Sequence, residues 1–345
     1  MRGKLLSFFL LVILLFQGIP VSAKSRFIDK IIAETGNEII TTVKEPGVGS
    51  VGGEWAVIGL ARSNVKIDRD YFDGYYRRLE EYVKACNGVL HNRKYTEYSR
   101  VVLAVTAIGK DPRNVAGYNL ITPLGDFEKT VWQGINGPVW ALIALDSGNY
   151  AVEVNKDAKV QATREMYVDY ILDRQKADGG WSLSESTPSE IDITAMVLQA
   201  LSSYRHIEKV DKAIGKALVF LQNKTEGFSG SGEATCESAA QVLTALCMLG
   251  IDCNSPEFTI NGKTLLDEIL SYYTGKGFRH IKSGEENQMA TEQAFYSLVA
   301  LERYRKGKSS LYAMTEEKNT FVEKCAMVDS ALQRMIKLTE RVENN

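Results

Sequence analysis

Two acidic side chains stand where they could act as a proton donor and its partner. Glu190 and Asp192 precede an apolar run in the stretch QKADGGWSLSESTPSEIDITAMVLQAL, residues 175–201. A carboxylic acid supported by neighbouring groups can transfer a proton as a general acid. An acid in the first turn of a helix is also stabilised by the helix dipole, by about 0.3–1 kcal/mol, and can cap the helix. The sequence leaves both roles open for Glu190 and Asp192.

Metal chemistry has little support in the sequence. Histidine occurs only three times, and no Cys-x-x-Cys or His-x-x-x-His spacing is present. An odd number of cysteines, five, is not a complete disulfide framework, although the spacing permits a Cys247–Cys253 bridge. We therefore expect neither a dedicated metal site nor a cofactor. The glycine-rich segment GVGSVGG, residues 47–53, lacks the Lys-Ser/Thr of a phosphate loop and is expected to be a turn.

A sequence repeat predicts the helices that position Glu190 and Asp192. The segments DITAMVLQAL (192–201), ESAAQVLTAL (237–246) and EQAFYSLVAL (292–301) share an initial acid and a final Ala-Leu. Each follows a Gly-aromatic pair. The segments 53–63, 98–109 and 137–148 have the same small and aliphatic composition. Together they predict six apolar helices that are buried on most sides.

A more amphipathic helix is predicted before each apolar one. In DYFDGYYRRLEEYVKAC the aromatic and apolar residues recur at intervals of three and four, with charged residues between them. The predicted amphipathic segments are 26–42, 69–86, 124–133, 161–176, 208–223 and 263–274. Because no pair can bury its own apolar face, the pattern predicts an all-α fold, an α/α toroid of six inner and six outer helices. Two separate helical domains are the structural alternative.

The two ends of the chain differ from the repeat region. Arg2 and Lys4 precede the apolar run LLSFFLLVILLF, and small residues follow, which predicts a signal peptide over 1–23 and a mature chain from Lys24. The toroid domain is then expected over 24–314. The charged, periodic segment 315–345 is expected to form an extra C-terminal helical tail on the outside.

Composition and charge narrow the classes of partner. With 45% hydrophobic residues, 24% charged residues and a net charge of −2, the chain is expected to bind no nucleic acid. After signal cleavage we expect no membrane span and a secreted or cell-surface location.

One motif resembles a known repeat. Gln175-x-x-x-Gly179-x-Trp181 is similar to the motif of the squalene cyclase and prenyltransferase superfamily, in which Gln and Trp bridge neighbouring repeats. The next copy is degenerate, with Phe228 in place of Trp. The stretch NQMATEQAFYSLVALERYRKGKSSLYAM resembles exported bacterial proteins that carry prenyltransferase/squalene oxidase repeats. The resemblance covers about 160–314, and the cobalamin carriers intrinsic factor and transcobalamin contain the same toroid.

The resemblance implies a ligand site in the centre of the ring, near the starts of the inner helices. Helix N-termini with unpaired N–H groups converge there. The residues that we expect to line the cavity are Trp55, Trp140, Glu237, Glu292 and Tyr296.

The resemblance also offers two enzymatic hypotheses. Class II terpene cyclases carry Asp-x-Asp-Asp-Thr-Ala, and on that alignment Asp192 is the middle, proton-donating acid, Glu190 the first, and Ile193 replaces the third. Protein prenyltransferases bind zinc through Asp-x-Cys and a distant His. Cys236 fits that pattern, but Ala234 occupies the Asp position, so zinc is not expected.

Three functions remain after the sequence analysis. The first is an exported toroid that binds a small molecule or a surface protein without catalysing a reaction. The second is a terpenoid cyclase-like enzyme that uses Asp192 as general acid. The third is a carbohydrate-active enzyme with paired carboxylates, for which Glu285, Glu286 and Asp192 are candidates. The lining of the central cavity should distinguish them.

Overall fold

A computed structural model describes residues 21–223, 234–260 and 262–315. Residues 1–20, which include most of the predicted signal peptide, lie outside the described residues, as do the Gly227-Phe228 pair, Cys325 and the residues after 315. Within them the chain is mostly helical, with twelve α-helices and one hairpin of two-residue strands. The all-α prediction is therefore confirmed.

The helices fall into two alternating sets. The odd-numbered helices are α1 (Val21–Thr42), α3 (Arg69–Ala85), α5 (Phe127–Val131), α7 (Arg164–Leu172), α9 (Glu208–Gln222) and α11 (Leu265–Leu270). The even-numbered helices are α2 (Trp55–Arg62), α4 (Thr96–Ala107), α6 (Asn136–Ser147), α8 (Ile191–Leu201), α10 (Cys236–Leu249) and α12 (Gln288–Arg305). The hairpin pairs β1 (Thr259–Ile260) with β2 (Lys263–Thr264).

The two sets differ in burial as their sequences predict. In α3 the buried side chains include Tyr75, Leu79 and Val83, which recur every four residues and form one apolar stripe. In α10 every residue except Met248 is buried. The even-numbered helices are therefore enclosed by neighbours, whereas the odd-numbered ones present a polar face to water.

Contacts between the even-numbered helices form a closed circuit. Helix α2 packs against α4, α4 against α6, α6 against α8, α8 against α10, α10 against α12, and α12 against α2. Four odd-numbered helices pack on the even-numbered helix that precedes them in this circuit: α1 on α12, α7 on α6, α9 on α8 and α11 on α10. The buried core runs continuously through both sets.

Local capping explains where several helices begin. The side chain of Thr163 accepts a hydrogen bond from the backbone N–H of Met166 at the start of α7. The side chain of Asn287 accepts one from the backbone N–H of Ala290 at the start of α12. At α11, Thr264 and Asp267 form a reciprocal capping box. This helix starts two residues later than predicted because residues 263–264 belong to the hairpin.

One segment predicted as a helix is interrupted. The range 124–133 overlaps the end of the 3₁₀ turn Thr122–Gly125 and contains the five-residue helix α5. Asp126 separates them: its backbone is extended, and its carboxylate accepts from Lys129 N as the cap of α5. A polar residue that competes for backbone N–H groups breaks a helix even where the apolar period continues.

The Gln-Gly-Trp motif ties three helices together. The indole N–H of Trp181 donates to Ile171 O in α7 at 2.7 Å, and its ring is completely buried. Gln175 donates to Ala213 O in α9 at 2.8 Å. Gly179 has φ +91°, and a Cβ there would lie 2.5 Å from Lys216 O, so the close approach to α9 requires glycine.

One backbone-to-threonine hydrogen bond occurs in two repeats, and its position corrects the repeat alignment. Trp181 N donates to the Thr194 hydroxyl, and Phe278 N donates to the Thr291 hydroxyl, both at 2.9 Å and both across 13 residues. Thr194 therefore matches Thr291, which pairs Glu292 with Ala195. The alignment of the initial acids, Asp192 over Glu292, is wrong by three residues. Since three residues are close to one helical turn, the apolar pattern matches nearly as well in either register.

The residues before the tail close the carboxyl ends of the even-numbered helices. The Arg62 guanidinium donates to Leu311 O at 2.9 Å and to Ala313 O at 2.9 Å, and Met314 N donates to Ser147 O at 2.9 Å. Among the described residues, no helix combines the length and the apolar character needed to cross a bilayer.

Candidate functional site

A cavity of about 220 Å³, the central cavity, lies between the even-numbered helices. All six of these helices contribute side chains to it. Its lining comprises Ser50, Trp55, Thr96, Arg100, Asn136, Trp140, Met196, Gln241, Gln293 and Tyr296. Ser50 is exposed, and Trp55, Asn136 and Gln293 are half-buried, so the cavity opens to solvent at the amino-terminal ends of the helices.

Helical spacing places these side chains on the inward faces. Thr96 and Arg100 are four residues apart in α4, and Asn136 and Trp140 are four residues apart in α6. Residues at this spacing lie one above the other on one helix face. Each of the two helices therefore presents a small polar side chain near the opening and a large side chain deeper inside.

Three aromatic rings form one wall of the cavity. The centroids of Trp55 and Trp140 lie 5.0 Å apart with an angle of 55° between the rings, and those of Trp55 and Tyr296 lie 5.7 Å apart. Trp140 also meets the ring of Tyr312 edge-on at 6.2 Å. The structure thus places three of the five cavity residues predicted from the sequence, Trp55, Trp140 and Tyr296, in the lining.

A chain of amide side chains crosses the cavity. Gln241 donates to the Tyr296 hydroxyl at 2.6 Å and to Gln293 Oε1 at 2.9 Å. Gln199 donates to Gln241 Oε1 at 2.8 Å. These bonds fix the orientation of Gln241 and connect α8, α10 and α12 through polar contacts.

Arg100, the only charged residue of the lining in the described part of the chain, is held by two carboxylates. Its Nε donates to Glu54 Oε2 at 2.9 Å, and its terminal nitrogens contact Glu97. Glu54 also accepts from the Tyr75 hydroxyl at 3.2 Å and is completely buried. Burial raises the pKa of Glu54 against the opposing effect of the Arg100 charge. The sequence did not lead us to predict this pair, although an arginine within the apolar segment YSRVVLAVTAIG is a signal for it.

The glycine-rich segment 47–53 forms a turn at the rim of the cavity. Gly49 N donates to Glu54 Oε2 and Gly52 N donates to Glu292 Oε1, both at 2.9 Å. Gly52 has φ +68°, a conformation that favours glycine. The turn carries Ser50, whose hydroxyl accepts from the indole N–H of Trp55 at 3.1 Å. Two buried carboxylates therefore hold the rim in place.

Glu292 lies behind the lining and has an unusual protonation equilibrium. Its side chain is 1% exposed, and its Oε1 accepts from Gly52 N and from Gln288 Nε2. Its Oε2 is buried without a hydrogen-bond partner in the described part of the chain. Burial raises the pKa of Glu292 to about 7, while the two hydrogen bonds oppose the rise. The side chain thus supports the rim and does not line the cavity.

We expect Glu292→Gln to stabilise the protein at pH 8 and to have little effect at pH 5. A carboxyl group whose pKa is 4.5 in the unfolded chain and about 7 in the folded chain binds more protons when folded. The stability that the protonated carboxyl group of Glu292 contributes is complete below pH 4.5 and is lost as pH rises through 7. Glu292→Gln has no carboxyl group at this position and does not lose this stability. The difference in free energy of unfolding between the variant and the parent should therefore grow by about 3 kcal/mol across that interval. Urea unfolding at several pH values measures it.

The matched control for this experiment is Glu208→Gln, because Glu208 is an exposed acid on α9 whose side chain is 82% exposed. An advantage of Glu292→Gln that did not change between pH 5 and pH 8 would contradict the prediction.

The predicted catalytic acids lie at the start of α8 and outside the lining of the central cavity. Glu190 is the cap residue, and its Oε2 accepts from Leu183 N at 2.7 Å. Asp192 is half-buried in the first turn. Burial raises the pKa of Asp192, while the backbone N–H groups of Ile193 and Asp192 oppose the rise. The carboxylate of Asp192 is thus placed for the helix-terminus role that the sequence leaves open.

The two remaining predicted cavity residues, Glu237 and Glu292, belong to α10 and α12. Glu237 makes a 2.8 Å hydrogen bond with His280 Nδ1 and, like Glu292, does not line the central cavity. Cys236 is buried, and burial raises the pKa of its thiol. In the described residues no group of three or more His, Cys, Asp or Glu could hold a metal ion. Cys247 is unbridged, so the permitted Cys247–Cys253 bridge is not formed.

The acids considered for glycoside chemistry are also separate from the cavity. Glu286 accepts from the Thr274 hydroxyl at 2.5 Å, in the turn that precedes α12. Neither Glu285 nor Glu286 contributes to the lining of the central cavity.

Comparison with models of known protein families gives no match, and no curated protein is significantly similar to the chain.

Proposed function

We propose that this chain is a single α/α toroid that binds a small molecule in the central cavity. The circuit of contacts from α2 to α12 and back supports the closed ring. Each of the six helices in that circuit contributes at least one side chain to one cavity, which carries the proposal.

The bonds of the Gln-Gly-Trp motif support kinship with the prenyltransferase and squalene cyclase repeat superfamily. Gln175 links the end of α7 to α9, and Trp181 links α7 to the start of α8. These are bonds between neighbouring repeats, the role that the motif has in that superfamily. The N-terminal apolar run of the sequence supports export to the medium or the cell surface.

The lining favours binding over catalysis. Among the described residues, the lining contains two Trp, one Tyr and five neutral polar side chains, but no Asp or Glu. Protonation of an alkene or hydrolysis of a glycoside requires an acid in contact with the substrate. The carboxylates of Glu54 and Glu97, which lie outside the lining, are bound to Arg100. A cavity with fixed polar groups and aromatic surface, but no acid, is typical of a binding site.

Filling the cavity should abolish binding. Met196→Trp adds a large ring to a half-buried lining position in α8, and Val219→Trp adds the same ring at a position of α9 that is 53% exposed. The two variants and the parent are dialysed against a metabolite extract of the producing cells. Bound molecules are then identified by mass spectrometry. We expect enrichment of the same molecule by the parent and by Val219→Trp, and its loss in Met196→Trp.

Identical enrichment by the parent and Met196→Trp, or no enrichment by any of them, would overturn the proposal. Asp192→Asn belongs in the same experiment. Since Asp192 lies in the first turn of α8 and Glu190 is the cap, loss of the charge removes only a helix-dipole contribution of about 0.3–1 kcal/mol, and we expect this variant to fold and bind as the parent does. Conversion of a polyprenyl substrate to a cyclic product that disappears in Asp192→Asn would instead establish the cyclase hypothesis.

A further inference from the structure

The central cavity combines an aromatic wall with groups that form hydrogen bonds. Trp55 and Trp140 contribute aromatic surface, and Met196 adds apolar surface. Ser50, Thr96, Asn136, Gln241 and Gln293 supply hydroxyl and amide groups around them. A ligand that fills this space must therefore have both apolar C–H surface and several polar substituents.

Two of the polar groups are available to a ligand. Gln293 accepts through Oε1 from Gln241 Nε2 at 2.9 Å, whereas its own Nε2 has no partner within the described residues. The carboxamide of Asn136 also makes no hydrogen bond within that part of the chain. Both side chains are half-buried at the opening, on α12 and α6. They offer two amide NH₂ groups and the carbonyl oxygen of Asn136 at points separated around the ring.

The charge of the surroundings disfavours a charged ligand. Arg100 is already bound to Glu54 and Glu97, so it offers an anion no unpaired cation. The first turns of α4, α8 and α10 carry Glu97, Asp192 and Glu237, whose charges oppose the positive ends of these helices. A cationic ligand would lie beside the positively charged guanidinium of Arg100 and be repelled by it. The arrangement favours a neutral molecule.

The aromatic geometry disfavours a flat ligand. The rings of Trp55 and Trp140 are in contact with each other at 55°, so they do not form two parallel walls between which a planar base could stack. Both rings belong to the lining of the cavity. The C–H face of a puckered ring can lie on such a surface while its equatorial substituents reach the amide groups.

The volume of the cavity limits the number of rings in the ligand. A cavity of about 150 Å³ accommodates benzene, a ring of six heavy atoms. A volume of about 220 Å³ accommodates one six-membered ring with its substituents.

From these features we infer that the ligand of the central cavity is a neutral pyranose sugar, bound with one face on Trp55 or Trp140 and its hydroxyl groups on Asn136 and Gln293. This inference rests on the proposed binding function. It names the class of ligand, and the absence of a lining carboxylate means that the sugar is bound and not hydrolysed.

The test uses defined probes. Methyl β-D-glucopyranoside, methyl β-D-galactopyranoside and N-acetylglucosamine are compared with choline and inorganic phosphate, by saturation-transfer NMR for the organic probes and by equilibrium dialysis for all five. We expect at least one pyranoside to bind the full-length chain, and neither ion to bind. Gln293→Ala should weaken that binding about tenfold through loss of a hydrogen bond. The matched control Gln222→Ala, on the half-buried end of α9, should leave it unchanged.

Met196→Trp provides a second variant that blocks the cavity without removing a polar group. Pyranoside binding that is lost in Met196→Trp and retained in Val219→Trp would support the inference. Binding of choline or phosphate but of no pyranoside would overturn it, as would pyranoside binding that survives in Met196→Trp. If the extract experiment recovers a molecule that is not a sugar, the inference fails and the proposed binding function stands. If neither experiment finds a cavity ligand, both fail.

Discussion

Replacing Trp181 with alanine should lower the free energy of unfolding by about 3–5 kcal/mol, the usual loss for a buried Trp. The ring is completely buried, and its indole N–H donates to Ile171 O at 2.7 Å. The substitution therefore leaves a cavity between α7 and α8 and removes one donor from Ile171 O, which keeps the backbone N–H of Arg174. Guanidinium unfolding followed by far-ultraviolet circular dichroism measures the change.

Trp132→Ala is the matched control for this experiment. Trp132 is 57% exposed, and its main contact is the Arg93 guanidinium 5.3 Å from its ring. Its loss should cost less than about 1 kcal/mol, because an exposed cation–π contact contributes little. Equal stability of Trp181→Ala and the parent would show that Trp181 does not join the repeats.

The second large effect is expected at the buried ion pair beside the cavity. Arg100→Met removes the cation but leaves Glu54 completely buried, and an uncompensated buried charge typically costs about 3–5 kcal/mol. The double variant Arg100→Met with Glu54→Gln removes both charges and should recover most of the loss. The exposed pair Arg205–Asp211 provides the control, because Arg205→Met should cost less than about 1 kcal/mol.

The pH dependence of Arg100→Met identifies the cause of its instability. Without the cation, burial raises the pKa of Glu54 with less opposition, so the folded state takes up a proton more readily than the unfolded chain. The instability should therefore diminish as pH falls from 8 to 5. A loss that is constant with pH, or a double variant no more stable than Arg100→Met alone, would indicate that Arg100 contributes only packing.

The sequence by itself determined the helices and their two classes. The period of 3.6 residues, with apolar residues on one face or on all faces, depends on side chains a few positions apart, so it is visible in the chain. The sequence also identified aromatic residues that line the cavity, since Trp55, Trp140 and Tyr296 lie in the apolar segments whose burial was predicted.

Only the tertiary structure decided which of the polar residues meet. Glu54 and Arg100 are 46 positions apart, and Gly52 and Glu292 are 240 apart, so no local pattern connects them. The repeat alignment failed for a related reason: a shift of three residues nearly preserves an apolar pattern, whereas the hydroxyl groups of Thr194 and Thr291 bond to one partner each and fix the register. Apolar burial is non-directional and can be inferred from composition and period, but hydrogen bonds and ion pairs are directional and depend on the packed positions of distant helices.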